Sequence, residues 1–113
     1  METSPTAVDL SVAHLTDLLT SPEQDVRILA ALRLGELGGQ ARAAVPALAA
    51  LLGEGTVTDR RLAAWTLEAV GPAASEAVPA LLLALRDADA TVRKFALAAL
   101  RCIDPEATRR RAA

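Results

Sequence analysis

An interval of 33 residues recurs through most of this sequence without a gap. It separates Val12 from Val45 and Val45 from Val78. The same interval relates three sets of leucines and one set of arginines: Leu15/Leu48/Leu81, Leu19/Leu52/Leu85, Leu34/Leu67/Leu100 and Arg27/Arg60/Arg93. A fixed period of this length is typical of stacked supersecondary units, each too small to bury its own apolar face. The core of such a chain is therefore shared between neighbouring units.

The composition restricts that core to aliphatic side chains. Hydrophobic residues make up 52% of the 113 residues, whereas aromatic residues make up only 2%. Leucine and alanine are strong helix formers, and the β-branched and aromatic residues that fill strands are scarce. We therefore expect an all-α protein. The net charge of −2 and the isoelectric point near 5.3 give no general attraction to nucleic acid or to an anionic membrane.

Three features favour a cytoplasmic location. Cys102 is the only cysteine, so an internal disulfide and an oxidising compartment are not implied. Glu2 and Asp9 lie where a signal peptide would need basic residues ahead of an apolar stretch. The most apolar stretch, Ala77 to Leu85, is far shorter than the roughly 20 residues that span a bilayer.

Each unit divides at a turn into two amphipathic stretches, which predicts three helix pairs, six helices in all. In the first unit, Ser21 followed by Pro22 predicts the start of the second helix. Gly38 and, one period later, Gly71 predict helix ends, because glycine adopts the left-handed conformation at little cost. The helices that follow are expected at about 43–52, 59–70, 75–86 and 90–103, the last with Asp89 as its N-cap.

The period also divides the chain into segments. The predicted parts are an N-terminal extension at 1–7, a repeat domain at 8–104 and a C-terminal tail at 105–113. Within the repeat domain, the predicted units span about 8–38, 39–71 and 72–104.

Two short motifs of the repeats resemble those of a known family. Ala-Val-Pro-Ala-Leu at 44–48 and 77–81, and Asp-Ala-Asp-Ala-Thr-Val-Arg at 87–93, resemble HEAT repeats, most closely the short HEAT-like repeats of the phycobilisome-lyase type that are common in bacteria. The resemblance implies a right-handed α-solenoid of three HEAT-like helix pairs, with the second helices lining the concave side. Ankyrin and tetratricopeptide arrays fit less well, because the Thr-Pro-Leu-His motif and the tyrosines are absent.

The resemblance also implies a ladder of arginines and turn acids between repeats. Its expected members are Glu54 and Asp87, together with Arg60 or Arg93. Arginine suits partly buried bidentate pairs, so structural links between repeats are favoured over contacts with a partner, and both interpretations stay open. Asp59 lies where other repeats have a core valine. The start of its helix is therefore expected to be shifted or frayed, with Asp59 or Thr58 as the cap.

The exposed face of the second helices is the expected binding site. Positions that are usually polar in HEAT-like arrays carry Ile28 and Leu32 in the first repeat and Trp65 in the second. Residues one helical turn apart share a face, which predicts an apolar centre beside a basic edge. The full predicted site comprises Ile28, Leu32, Arg61, Trp65, Glu68, Lys94, Ala98 and Arg101.

Trp65 has two interpretations at this stage. As the only tryptophan of an aromatic-poor chain, it could fill a gap between neighbouring repeats. Tryptophan and arginine are also the residues most enriched at binding hot spots. The second interpretation is favoured, and it makes Trp65 the centre of a partner site flanked by Arg61 and Lys94.

The inventory of reactive side chains predicts no enzyme. One histidine, one cysteine and no tyrosine leave few candidates for a nucleophile, a base or a set of metal ligands. His14 is expected to be an ordinary surface residue, and Cys102 a small half-buried one. The Gly53-Glu54-Gly55 turn is too short for a phosphate loop and carries an acid. No catalytic residue, cofactor or metal is therefore predicted.

These observations favour a non-catalytic protein–protein interaction scaffold that binds a peptide or protein on its concave face. The expected partner carries acidic and apolar residues. A nucleic-acid-binding HEAT-like module is an alternative, since such arrays also exist with basic inner faces. An accessory subunit of a bilin-lyase-like enzyme is another alternative, which rests on resemblance alone.

Leu97 occupies the repeat position that Ala31 and Ala64 hold in the earlier units, which predicts an apolar C-terminal end. That end is expected to support weak self-association or to lie under the tail at 109–111.

Overall fold

The computed structural model describes residues 11–112. The predicted N-terminal extension at 1–7 and the start of the first repeat at residue 8 lie outside the described residues. The described part of the chain contains helices and turns and no strand, which confirms the all-α class. The α-helices are α1 (Val12–Leu18), α2 (Gln24–Leu37), α3 (Val45–Glu54), α4 (Val57–Val70), α5 (Val78–Ala84), α6 (Ala90–Ile103) and α7 (Glu106–Ala112).

The prediction of six separate helices is wrong. Two 3₁₀ segments, Gly38–Ala44 and Gly71–Ala77, join α2 to α3 and α4 to α5, so that helical hydrogen bonding continues through both junctions although the backbone bends there. The residues between 11 and 112 therefore form five continuous helical segments. The last of these, α7, lies in the predicted tail. Helical periodicity finds the apolar faces, but it does not show whether a turn between two helices keeps helical hydrogen bonds.

The chain changes direction at the two junctions where glycine ends were predicted. Gly38 has a φ angle of 58° and Gly71 a φ angle of 75°, and residues with a Cβ atom rarely adopt such positive values. Inside the junctions, Ala41 and Ala74 leave helical geometry with ψ values of 17° and 22°. Both alanines are fully buried. The predicted helix ends at Gly38 and Gly71 are thus confirmed, and each junction returns the chain for the next pair.

One helical stretch in the described part of the chain, Val57–Ala84, is long and apolar enough to cross a membrane by length and composition alone. Core helices of soluble proteins pass the same test. This stretch is not one straight helix, because the positive φ of Gly71 separates α4 from α5. Leu67 and Leu81, one in each helix, are fully buried within the protein, as core residues are.

The helices form two layers. Helices α1, α3 and α5 each pack on the second helix of their own pair, and α4 packs between α2 and α6. The radius of gyration is 14.5 Å, close to the value of about 13 Å expected for a compact chain of this length. The predicted leucine registers lie in the core: Leu15, Leu48, Leu81, Leu34, Leu67 and Leu100.

Helices α3 and α5 begin at Val45 and Val78, two to three residues after their predicted starts, and the N-caps of α2 and α4 differ from the predicted ones. Helix α2 begins at Gln24, with Glu23 as its N-cap instead of Ser21. The Ser21 hydroxyl accepts a hydrogen bond from the Glu23 amide in the preceding turn. Helix α4 begins at Val57 with Thr56 as its N-cap, and Asp59 completes a capping box with Thr56 instead of being the cap itself. The predicted N-cap Asp89 is confirmed by the hydrogen bond that it accepts from the Val92 amide.

An arginine ladder links the pairs, with one rung as predicted and one different. Arg60 donates two hydrogen bonds to the Asp87 carboxylate, at 2.8 and 3.2 Å. Arg27 donates to Asp59 at 3.1 Å. The predicted rung at Glu54 is wrong: this side chain is exposed and has no ion pair among residues 11–112. Asp59 takes that role because the capping box holds its carboxylate, only 3% exposed, beside Arg27.

The ladder lowers the pKa of both carboxyl groups. Burial alone would raise the pKa of Asp59, but hydrogen bonds from Arg27 and Thr56 and the charge of Arg27 outweigh burial and lower it. At Asp87, the hydrogen bond from Arg60 is the largest cause of a lowered pKa. A carboxyl whose pKa is lower in the folded state stabilises the fold above its unfolded-state pKa. That contribution is lost as the pH falls through the folded-state value.

We predict that Asp59→Asn lowers the free energy of unfolding at pH 7 by about 1–3 kcal/mol, since it weakens a charge-assisted hydrogen bond at a buried site. The difference from the parent protein should narrow as the pH falls below the usual carboxyl value of 3.8. Urea unfolding followed by circular dichroism between pH 7 and pH 3 measures both effects.

Glu54→Gln is the matched control, because it removes the same charge from an exposed side chain in the neighbouring turn. It should change stability by no more than about 0.5 kcal/mol, as substitutions at such positions do. Equal losses in the two variants would contradict the assignment of Asp59 to the ladder.

Candidate partner-binding groove

A shallow groove with a volume of about 340 Å³ crosses the layer of second helices. We call the exposed side of α2, α4 and α6 the second-helix face. The groove lies on this face, with α4 at its centre and one residue from each neighbouring helix at its sides. Its lining residues are Leu32, Thr58, Arg61, Leu62, Trp65 and Phe95. Four of the six are apolar.

The Trp65 ring reaches the groove by lying over a glycine. A Cβ atom placed on Gly35 of α2 would be 2.8 Å from Cζ3 of Trp65, a distance that real Cβ atoms do not show. The ring therefore occupies the space that a side chain at position 35 would need. Trp65 is half-buried, so part of the ring packs between α2 and α4 while another part lines the groove. The packing interpretation therefore describes the part of the ring that lies over Gly35, and the binding interpretation stays a prediction for the part that lines the groove.

Exposed leucines extend the apolar surface along α2. Leu32 is 38% exposed and Leu29 is 54% exposed. Leu29 occupies the same register as two groove residues, Leu62 and Phe95. Contiguous apolar patches are uncommon on soluble monomers and mark interaction sites when they occur. The second-helix face therefore has the chemistry of a surface that binds apolar side chains.

The charge of Arg61 is already matched within the protein. Its guanidinium donates two hydrogen bonds to Asp89, at 2.9 and 2.7 Å. The hydrogen bond from Arg61 is the main cause that lowers the pKa of the Asp89 carboxyl well below its usual range, and the Val92 amide adds to it. Asp89 also caps α6. The pair therefore fixes the start of α6 beside the groove and removes Arg61 from the predicted basic edge.

Three of the eight predicted site residues meet in the groove, namely Leu32, Arg61 and Trp65. The other five are not among the residues that line it. Lys94 and Arg101 are exposed on α6, whereas the remaining three are half-buried: Ile28, Glu68 and Ala98. Ala98, the third member of the predicted strip with Leu32 and Trp65, is not among the residues that line the groove.

Three of the six residues that line the groove lie outside the predicted site: Thr58, Leu62 and Phe95. Phe95 and Leu62 share an all-apolar register with Leu29, and that register was the signal that could have identified them. The sequence predicts Thr58 only as a possible helix cap. The pairing of Asp89 with Arg61 has no counterpart at the 33-residue interval, so no repeat signal points to it.

The two most reactive side chains lie away from the groove. His14 is half-buried on α1. Cys102 is exposed, so the prediction of a half-buried cysteine is wrong, and the α6 face that carries it points away from the core. Within residues 11–112, no group of three or more His, Cys, Asp or Glu side chains is placed to hold a metal ion.

The comparisons with known proteins add no support to the resemblance to HEAT repeats, which rests on the short motifs alone. A scan against protein-family models finds no match, and a search of curated proteins finds no significant match.

Proposed function

We propose that this protein is a non-catalytic interaction module that binds a peptide or protein segment on the second-helix face. The observation that carries this proposal is the groove of about 340 Å³ between α2, α4 and α6, lined mainly by Leu32, Leu62, Trp65 and Phe95. Preformed apolar clefts with a few polar groups are the usual binding sites of proteins. Aromatic residues in such a cleft are typical anchors of an interface.

The chemistry of the groove defines the class of segment that it suits. An amphipathic helix or an extended segment with a large apolar side chain would place that side chain against Trp65 and Phe95. Arg61 has its carboxylate partner in Asp89. Acidic residues of the segment would therefore contact the exposed cations of α6, Lys94 and Arg101. In this arrangement the apolar anchor supplies the affinity, and the charges set the orientation.

We also propose that the helix pairs form a right-handed α-solenoid of the HEAT-like kind. The support is the repetition of the same contacts along the chain. Helix α4 packs between α2 and α6, and Arg27 and Arg60, one period apart, each donate to an acid of the following pair. A stack of this type presents its second helices as one extended surface.

The cytoplasmic location of the protein stays a prediction.

Nucleic-acid binding is the second candidate. It is favoured by exposed cations without an ion pair in the described part of the chain, Lys94 and Arg101 on α6. The net charge of −2 and the internal pairing of Arg61 make it the weaker candidate, because affinity for phosphates depends on uncompensated basic groups. The role as an accessory lyase subunit has no structural observation in its favour.

We predict that peptides selected from a random display library on this protein carry large apolar residues with acidic neighbours. Trp65 is the only tryptophan, so its fluorescence reports on the groove directly. Titration with a selected synthetic peptide should shift the emission to shorter wavelength, as the ring loses water. Leu32→Ser should weaken binding by roughly tenfold or more, as the loss of an anchor contact does.

Leu83→Ser is the matched control for this experiment. Leu83 is a 76% exposed leucine on α5, in the other helix layer and outside the groove, so its replacement should leave binding unchanged. Peptides that bind without shifting the Trp65 emission, with Leu32→Ser and Leu83→Ser behaving alike, would place the site elsewhere. Retention of fluorescently labelled duplex DNA instead of peptides, lost at high salt, would favour the second candidate.

We further predict that Gly35→Ala displaces the Trp65 ring and changes both stability and emission. The new Cβ would lie 2.8 Å from the ring, and overpacking of this kind costs about 1–3 kcal/mol. A gain of up to about 1 kcal/mol in helix propensity opposes this cost. The free energy of unfolding from urea titration and the emission maximum of the folded state measure the two effects.

Gly53→Ala provides the control, since Gly53 lies in α3 and a Cβ atom there would meet nothing within 4 Å. This variant should be stabilised by about 0.5–1 kcal/mol through helix propensity alone. If Gly35→Ala were stabilised to the same extent with an unchanged emission maximum, the ring would not be held over Gly35.

A further inference from the structure

The two ends of the chain carry opposite charge. Residues 1–26 contain five acids and no lysine or arginine, whereas residues 90–113 contain six basic residues and two acids. The first segment therefore has a net charge of −5 and the last a net charge of +4, within a protein whose total is −2. Asymmetry of this size between two ends points to an electrostatic interaction.

At the first helix pair, the acids of the described residues are exposed and unmatched. Asp17, Glu23 and Asp25 have no ion pair between residues 11 and 112. The first arginine, Arg27, is already bound to Asp59. Glu2 and Asp9, which belong to the same acidic segment, lie outside the described residues. This end of the stack therefore presents negative charge that no basic group of the described chain compensates.

At the last helix pair, the acids have ion-pair partners and several basic residues have none within residues 11–112. Both acids of its segment are paired within α7 and its preceding turn: Glu106 with Arg109, and Asp104 with Arg110 at 2.7 Å. Three exposed basic residues of α6 have no ion pair in the described part of the chain: Arg93, Lys94 and Arg101. Exposed positive charge therefore lies on α6, and exposed negative charge lies on the first helix pair.

Arg93 occupies a ladder position that lacks its acid. Its equivalents Arg27 and Arg60 each donate Nη1 to a carbonyl of their own turn and Nε to a carboxylate of the following pair. Arg93 makes the first contact, donating Nη1 to the carbonyls of Asp87 and Ala88. It makes no second contact with a carboxylate within residues 11–112. The guanidinium is thus held by its turn with Nε free to bind an acid from outside.

We propose that the basic end of one molecule binds the acidic end of a second copy, in a head-to-tail arrangement. The acids around Glu23 and Asp25 in one copy would provide the carboxylates that Arg93 and Arg101 lack in the other. A head-to-tail contact leaves one acidic and one basic end free, so further copies can add. The contact is between exposed charges and is therefore weakened by salt. It shares Arg101 with the proposed partner site, but it uses none of the residues that line the groove.

Charge reversal at each end tests this proposal. Sedimentation velocity of the parent protein in 20 mM salt should show species larger than the monomer that increase with concentration, and these should disappear in 500 mM salt. The acidic-end variant Glu23→Lys/Asp25→Lys and the basic-end variant Arg93→Glu/Arg101→Glu should each associate roughly five- to tenfold more weakly, as expected for the loss of two exposed contacts. A mixture of the two variants should associate again, because the unchanged basic end of the first variant can bind the unchanged acidic end of the second.

Two further variants control for total charge and for folding. Glu54→Lys/Glu76→Lys changes the net charge as the acidic-end variant does, but at exposed positions in the middle of the chain, and it should associate like the parent. Arg101→Glu/Arg109→Glu repeats the basic-end reversal without touching the bonds of Arg93 to its turn. A strict monomer at every concentration in 20 mM salt would overturn the proposal, and so would failure of the variant mixture to associate. Binding of duplex DNA by the basic end of a monomeric protein would overturn it as well.

Discussion

The close approach of α2, α4 and α6 is the contact on which the other features depend. Ala31 and Ala64 lie at the same register on successive second helices, and both are fully buried. Their small side chains let the helices approach, which buries the leucines at 34, 67 and 100 behind them. Thr66 adds a link, because its hydroxyl donates to the carbonyl of Ala31 at 3.1 Å. With the helices at this distance, the residues on their outer side form one continuous face.

The groove is a consequence of that spacing. The Trp65 ring of α4 extends towards α2, where Gly35 leaves room for it. On the other side, Phe95 of α6 lies where the equivalent residues of the earlier helices are leucines. Both aromatic residues line the groove. Packing between repeats and formation of the groove depend on the same tryptophan, so a variant at position 65 affects both.

The fold could be predicted where it depends on burial, and less well where it depends on local hydrogen bonds. The leucine registers and the positive φ of Gly38 and Gly71 follow from periodicity and from the steric freedom of glycine. The start of α4 cannot be predicted in this way, because Thr56, Thr58 and Asp59 could each cap a helix. The capping box at Thr56 prevails because it also places the Asp59 carboxylate beside Arg27. A tertiary contact thus decides a local choice that the sequence alone leaves open.

The candidate site, like the fold, could be predicted only in part from the sequence. Leu32, Arg61 and Trp65 were predicted from helical spacing and meet in the groove, because residues one turn apart share a face. The spacing cannot show that the Trp65 ring packs towards Gly35, nor that Arg61 is matched by Asp89 from the next pair. These two facts change the expected chemistry. The groove is mainly apolar, and the charge of its arginine is matched by Asp89. The cations of α6 without an ion pair in the described part of the chain lie outside the groove. In the proposed function, desolvation of aromatic side chains would drive recognition of a partner. In the proposed head-to-tail association, salt-sensitive attraction between exposed charges would drive contact between copies.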